Sequence, residues 1–305
     1  MGARLTNISN FKEFTGLVDV SLGWNSLTSF PINELSSSIQ NLNFQDNELR
    51  SLKITEALSN LTQLYLSGNP LVSLDINNSN VVRIFASDVS LSTFKLSLLP
   101  SVVQFEIGGQ NLTSIDFTDF NPSYNFTIVN VTDCPILTTI NLNNIQNIYN
   151  LSIQNCTSLL NIINSKVGRI TIYYNTAITS YDFSDIMRSD SNLNQITMYY
   201  TTNVTSINLQ NTPILSSFYL QDNTALTTII PSAIAVGGDY IGSNFRVYNS
   251  PLTTSTVNSV LTTYDSIPGG LPSVHDILVF GQPPSGAGIT AKNSLISKGW
   301  TIGTD

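Results

Sequence analysis

The residue types that do most of the chemistry in proteins are scarce here. His275 is the only histidine, so neither a Ser-His-Asp system nor a histidine-rich metal site has its second member. Asp46, Asp88, Asp133 and Asp222 raise the question of calcium, because each stands just before a recurring polar position. They fall on repeats two, four, six and ten, so neighbouring ones are about 10 Å apart by strand spacing. That is too far to share an ion bound at about 2.4 Å, and they read as solvated turn residues. Gly237-Gly-Asp-Tyr-Ile-Gly242 and Ser285-Gly-Ala-Gly288 lack the Gly-Lys-Ser/Thr ending of a phosphate loop. What does recur is tyrosine: Tyr173, Tyr199, Tyr219 and Tyr248, with Gln221, Arg246 and Arg169 among them. Tyrosine offers a flat apolar face and a hydroxyl at little entropic cost, which suits sugar rings and protein epitopes alike. That is binding chemistry. Stacked tyrosines also stabilise a sheet by themselves, so the stripe has a purely structural reading beside the functional one.

Such a stripe needs a repeating element to hold it. Residues Leu61 to Ile76 read LTQLYLSGNPLVSLDI, the spacing L-x-x-L-x-L-x-x-N-x-L. One such unit cannot bury its own apolar face, and copies flank it on both sides. Strand markers fall at Val20, Leu42, Leu64, Ile84, Phe105, Val129, Leu151, Ile170, Ile196, Phe218, Phe245 and Ile277. The first nine intervals run from 19 to 26 residues, and the last two lengthen to 27 and 32. Markers two apart, such as Val20/Leu22 and Ile170/Ile172, send alternate side chains inward. The expected architecture is a mostly-β α/β solenoid: a leucine-rich-repeat horseshoe with a parallel concave sheet and irregular convex turns. Residues 1–16 form an N-terminal cap carrying Leu5, Ile8, Phe11 and Phe14, residues 17–252 the array, and residues 253–305 a C-terminal cap, all one continuous domain.

Three residues beyond the second marker of each strand stands a polar or small side chain. The column is Asn25, Asn47, Asn69, Val89, Gln110, Cys134, Cys156, Asn175, Thr201, Asn223 and Ser250. Asn supplies a donor and an acceptor where the chain turns away from the sheet and leaves backbone groups unpaired. The column absorbs both cysteines without redox or metal chemistry. On neighbouring rungs they lie about 4.8 Å apart, against the roughly 3.8 Å between Cβ atoms of a disulfide, so they read as free buried thiols. The remaining strand positions face outward. One column gives Thr171, Thr197, Tyr219 and Arg246, the next Tyr173, Tyr199, Gln221 and Tyr248, with Tyr174 and Tyr200 at the rim. Glu106 is the one carboxylate in these columns.

The returns at Asn33–Ser38, Asp119–Asn125 and Ser184–Asn192 are too short and broken for regular helices, and predict turns and 3₁₀ pieces. Val257, Val260, Leu261 and Tyr264 are spaced for an amphipathic helix over 253–264. A strand follows at Asp276–Phe280, then a second helix capped by Ser285 and closed by Gly299, with Trp300 packed back on Leu295.

Residues 17–226 resemble the leucine-rich-repeat superfamily in its irregular, Asn/Thr-rich bacterial and bacteriophage surface-adhesin form. The ending Pro284-Ser-Gly-Ala-Gly through Lys298-Gly-Trp-Thr-Ile302 resembles the closing segment of such arrays. The resemblance implies binding rather than catalysis. The residues suggest no cofactor, and the expected partner is a glycan or protein on a host or neighbouring cell surface, or another virion or surface protein. A net charge of −8 argues against nucleic acid and anionic membranes. Residues 1–10 show no apolar central region of a signal peptide, and no segment is apolar enough to span a bilayer. The sequence thus points to a non-enzymatic adhesion or receptor-binding module on a virion or bacterial surface. The alternative is a structural subunit of a virion or extracellular filament with no ligand.

Overall fold

The computed structural model describes residues 4–78, 80–95, 101–117, 125–142, 145, 147–163, 167–183, 195–210, 212, 215–232, 244–267 and 276–305. His275, Gly237–Gly242 and nearly all of the 119–125 and 184–192 returns lie outside these residues. The chain forms two compact units, residues 1–148 with 154–165, and residues 149–153 with 166–305. Each is a parallel β-solenoid.

In the first unit the major strands Asp19–Ser21, Asn41–Asn43, Gln63–Tyr65, Arg83–Ala86, Gln104–Gly108 and Asn125–Thr132 pair in parallel, each with the next. Val20 pairs with Leu42, Leu42 with Leu64, Leu64 with Ile84, Ile84 with Phe105 and Phe105 with Val129. The second unit repeats this in Val167–Tyr173, Gln195–Tyr199, Ser217–Gln221, Asn244–Leu252, Asp276–Gly281 and Thr301–Thr304. There Ile170, Ile196, Phe218, Phe245, Ile277 and Ile302 stand in one row. The apolar markers are therefore register partners, because a slip of one residue would turn every one of them out to water. All are buried apart from Ile302, and each contributes about 1.5–3 kcal/mol of burial.

The limb opposite the major strands is more regular than turns alone. Short strands Ser51–Ile54 and Ser73–Ile76 pair with each other, as do Thr93–Lys95, Ser114–Asp116, Thr139–Asn141 and Asn161–Ile163 in sequence. In the second unit Ser180–Asp182, Ser206–Asn208 and Thr228–Ile230 do the same. Apart from Asn161–Ile163 and Thr228–Ile230, their sequences follow a Ser/Thr-apolar-polar-apolar pattern, as in SLDI and SINL, in which the two apolar residues point inward. The one return with a described 3₁₀ turn is Ile32–Glu34.

Between strand and return the chain turns a sharp corner. Trp24, Asp46, Gly68, Asp88, Asp133, Asn155, Tyr174, Tyr200, Asp222 and Asn249 all have φ between 49° and 70°. Each stands one residue before the polar ladder, so the four aspartates are corner residues. Corner amides donate along the stack, as Asp46 N does to Ser67 O at 2.8 Å and Tyr200 N to Gln221 O at 3.1 Å. Left-handed backbone suits Gly, Asn and Asp, and it strains bulky side chains.

The next residue faces the interior. Asn69 Nδ2 donates to Phe44 O at 2.8 Å and Leu66 O at 2.9 Å, while its Oδ1 accepts from Leu49 N at 3.0 Å. Asn47 repeats this with Leu22 O, Phe44 O and Leu27 N. Asn25 accepts from Leu5 N at 3.0 Å, and Ser26 N donates to Leu5 O at 2.8 Å. Leu5 thus occupies the station of Leu27 and Leu49, so the N-terminal segment enters in register with the later returns. Of its four apolar residues only Phe11, in a 3₁₀ turn, is buried; Phe14 and Leu5 are exposed. Thr201 N donates to Asn223 Oδ1 at 3.1 Å in the second unit, and Asn175 is fully buried. Cys134 and Cys156 are free and buried, with Sγ atoms pointing at Thr132 O and Gln154 O. The Cys156 thiol is pushed far up by its hydrogen bond with the Cys134 sulfur and by burial.

Two helices lie near the C-terminus. Helix α1, Thr254–Asp265, is capped by Thr253, which accepts from Thr256 N, and buries Val257, Val260, Leu261 and Tyr264. Helix α2, Ala287–Ser297, is preceded by Gly286 at φ 50°, and no side chain caps it; Ser285 supplies only its carbonyl, to Gly288 N. The expected Ser285 side-chain cap is therefore corrected: the chain enters α2 through a positive-φ glycine. Its other end follows the expected motif. Trp300 N donates to Leu295 O at 3.1 Å and Gly299 N to Ile296 O at 3.0 Å, with Gly299 at φ 91°. Trp300 packs on Tyr264, ring centroids 5.9 Å apart.

Candidate functional site

Register decides which side chains meet on the outer side of the second unit's major strands. Tyr173 pairs with Tyr199, Tyr199 with Gln221 and Gln221 with Tyr248; Thr197 pairs with Tyr219 and Tyr219 with Arg246. The five rings of Tyr173, Tyr199, Tyr219, Tyr248 and Phe280 form an unbroken run with centroids 4.8, 5.3, 5.7 and 5.6 Å apart. All five side chains are half-buried. The Tyr199 hydroxyl is shifted up by desolvation and then by its tyrosine neighbours, so it stays protonated at neutral pH. Phe280 enters because the strand Asp276–Gly281 continues the same outward column.

Each face in a stacked pair covers its neighbour. Tyr173 and Tyr199 lie 5° from parallel. Such rings show a partner their edges and hydroxyls rather than a flat platform, which weakens the sugar-stacking argument made from the sequence. The Tyr219 hydroxyl donates to Gln221 Oε1 at 2.8 Å, and Gln221 Nε2 donates to Asp222 Oδ2 at 3.0 Å. Gln221 therefore ties the run to the corner row.

The two arginines behave differently from the tyrosines. Arg246 Nη2 donates to Asp276 Oδ2 at 2.5 Å and to Asn244 Oδ1 at 3.3 Å, so its charge is matched within the sheet. Arg169 stands four residues before Tyr173 on the same strand, about 13 Å away at 3.3 Å per residue. It lies over the exposed Tyr149 ring, 5.2 Å from the centroid, and takes no part in the aromatic run.

Beside the run stands a second stack. Tyr174 and Tyr200 are 46% and 38% exposed, with rings 4.8 Å apart and 2° from parallel. The next corner residue is Asp222, whose Oδ1 accepts from Asn249 Nδ2 at 2.7 Å. The Tyr200 hydroxyl is shifted up, first by the Asp222 charge and then by Tyr174. Tyr174 and Tyr200 are visible in the sequence as rim residues; the link through Asp222 and Asn249 is not. Its signal is the column of mostly Asp, Asn and Gly one residue before the ladder, which Trp24, Tyr174 and Tyr200 interrupt. At the edge of the same face Asn249, Ser250, Pro251, Phe280, Gly281, Gln282 and Asp305 line an open depression of about 560 Å³.

No family model matches the chain, and no curated protein matches it in sequence. Among solved structures, the functional domain of InlJ from Listeria monocytogenes, described as including a cysteine ladder, is similar over 90% of this chain and 67% of its own, at 13% identity and a TM-score of 0.45. The likeness is loose. The architecture stands on the strand register itself.

The first unit carries a smaller version of the aromatic feature, Tyr65 stacked on Phe85 with centroids 4.9 Å apart. Among the described residues, no group of three His, Cys, Asp or Glu side chains is placed to hold a metal ion. Among the same residues no helix is long and apolar enough to cross a membrane.

Proposed function

We propose that this chain is a non-enzymatic recognition or adhesion module, working outside the cell on a bacterial surface or a phage virion. It engages a protein or glycan of a host or neighbouring cell through the aromatic face of its second unit. The observation that supports this is the run of five rings on the solvent side of a sheet whose opposite side already forms the core. Rigid tyrosines lose little side-chain entropy when covered, so a partner gains contact area at low cost. Binding to bacterial cells and to immobilised glycans tests it. The double variant Tyr199→Ala/Tyr219→Ala, still folded by circular dichroism, is expected to bind at least tenfold more weakly, and unchanged binding removes this face from the account.

A structural role has one observation in its favour. Leu5, Phe14, Val18 and Trp24 are 45%, 56%, 40% and 69% exposed within the first 24 residues, as subunit-contact residues would be. Electron microscopy of native particles separates the readings. A continuous lattice supports the structural role, and sparse protrusions support recognition.

A further inference from the structure

We infer that the corner formed by Tyr200, Asp222 and Asn249 is a receptor for a cationic side chain, arginine before lysine, of a partner protein. The inference deepens the reading of the aromatic face as a recognition surface and rests on it.

Backbone strain points to the position first. Every other described corner with positive φ in the second unit is Asp or Asn, types that adopt this conformation readily. Tyr174 and Tyr200 sit there at φ 49° and 55°. A bulky residue held left-handed is strained, and their mutual stacking recovers part of that cost. Strain kept where Asn would relieve it is a reason to look for a function.

Charge then selects the ligand. Arg246, the cation of this face, is matched by Asp276. Asp222 accepts from Gln221 and Asn249, both neutral, and among the described residues no cation pairs with it. A carboxylate has about four lone-pair sites, so capacity remains. The ring stack ends at Tyr200, since the next corner holds Asp222 and no ring. One π face of Tyr200 therefore borders a carboxylate that lacks a counter-ion. A guanidinium stacks on such a face and pairs with such a carboxylate at once, whereas an ammonium does only one of these well. A neutral glycan has no use for the charge.

The probe is acetyl-triarginine amide, titrated into the full chain while the tyrosine ring resonances are followed, with acetyl-triglutamine amide as the neutral control. Saturable shifts at Tyr200 are expected for the arginine peptide only, weakening with added salt. Asp222→Asn should raise the dissociation constant at least fivefold, and Glu48→Gln, which removes an exposed charge from the first unit, should leave it unchanged. Tyr200→Asn should abolish the accompanying shifts of the stacked Tyr174 ring without lowering the melting temperature, because it relieves the corner. Absence of saturable shifts, or equal affinity of wild type and Asp222→Asn, overturns the inference. If Tyr199→Ala/Tyr219→Ala loses cell binding while Asp222→Asn keeps it, the face stands and the cation receptor falls. A neutral oligosaccharide that shifts the same rings with equal affinity for both proteins has the same meaning.

Discussion

Asn69 shows what a single residue does in this molecule. Fully buried, it serves one amide and two carbonyls from two successive turns of the chain. Asn69→Ala removes the partner of Leu49 N and Leu66 O, while Phe44 O keeps Asn47, and is expected to destabilise by about 2–3 kcal/mol, read as a lower denaturation midpoint in urea. Gly68 beside it has φ 70°, and a Cβ there would run into the Asp46 carboxylate. Gly68→Ala should therefore cost about 1–2 kcal/mol, in the same assay. The thiols give a kinetic check. Cys134 and Cys156 should resist a bulky thiol reagent in the native protein and both react in denaturant, since both are buried. Asn at a fixed offset from a strand is a signal that sequence carries openly, which is why the ladder was legible. The left-handed corner was not, because Asp and Asn also suit ordinary turns and only φ tells the two apart.

At the scale of elements, regular recurrence governed what could be read. The major strands sit in repeats of about two dozen residues, and helix α1 offers Val257, Val260, Leu261 and Tyr264 at helical spacing, so both were legible. The opposing strands are three or four residues long, as the first major strands are, but they lack a fixed Asn beyond them to mark each copy, and Thr301–Thr304 lies outside the repeats altogether. Helix α2 and its end make two predictions. Gly299→Ala, at φ 91°, should cost about 1–2 kcal/mol and lower the thermal midpoint. The pH limits follow from groups on the two helices. Asp265 is held below the usual carboxylate range by its hydrogen bond to Lys298, so its contribution is present above about pH 3.9 and is lost as pH falls through the lower folded value. Tyr264 is pushed up by burial, so its contribution is present below about pH 10 and is lost as pH rises through the higher folded value. Circular dichroism during alkaline titration should show Tyr264→Phe resisting unfolding to higher pH than wild type.

For the whole molecule, ten per cent charged residues and a net charge of −8 leave a surface whose polar groups are mostly uncharged. Register brought the four tyrosines together as the spacing implied, since residues two apart share a face whenever neighbouring strands align. Arg169 shares a strand with Tyr173 but stands four residues before it, over the Tyr149 ring and out of reach of the run. Arg246 lies in the patch but is occupied by Asp276, a pairing thirty residues away that no local pattern announces. The most direct test compares the two units. Adhesion to target cells is measured for Tyr173→Ala/Tyr199→Ala/Tyr219→Ala in the second unit and for Tyr65→Ala/Phe85→Ala in the first, with folding confirmed for both. Loss of adhesion in the triple variant alone is the predicted result. Retained adhesion in the triple variant, or loss confined to the first-unit pair, would contradict it.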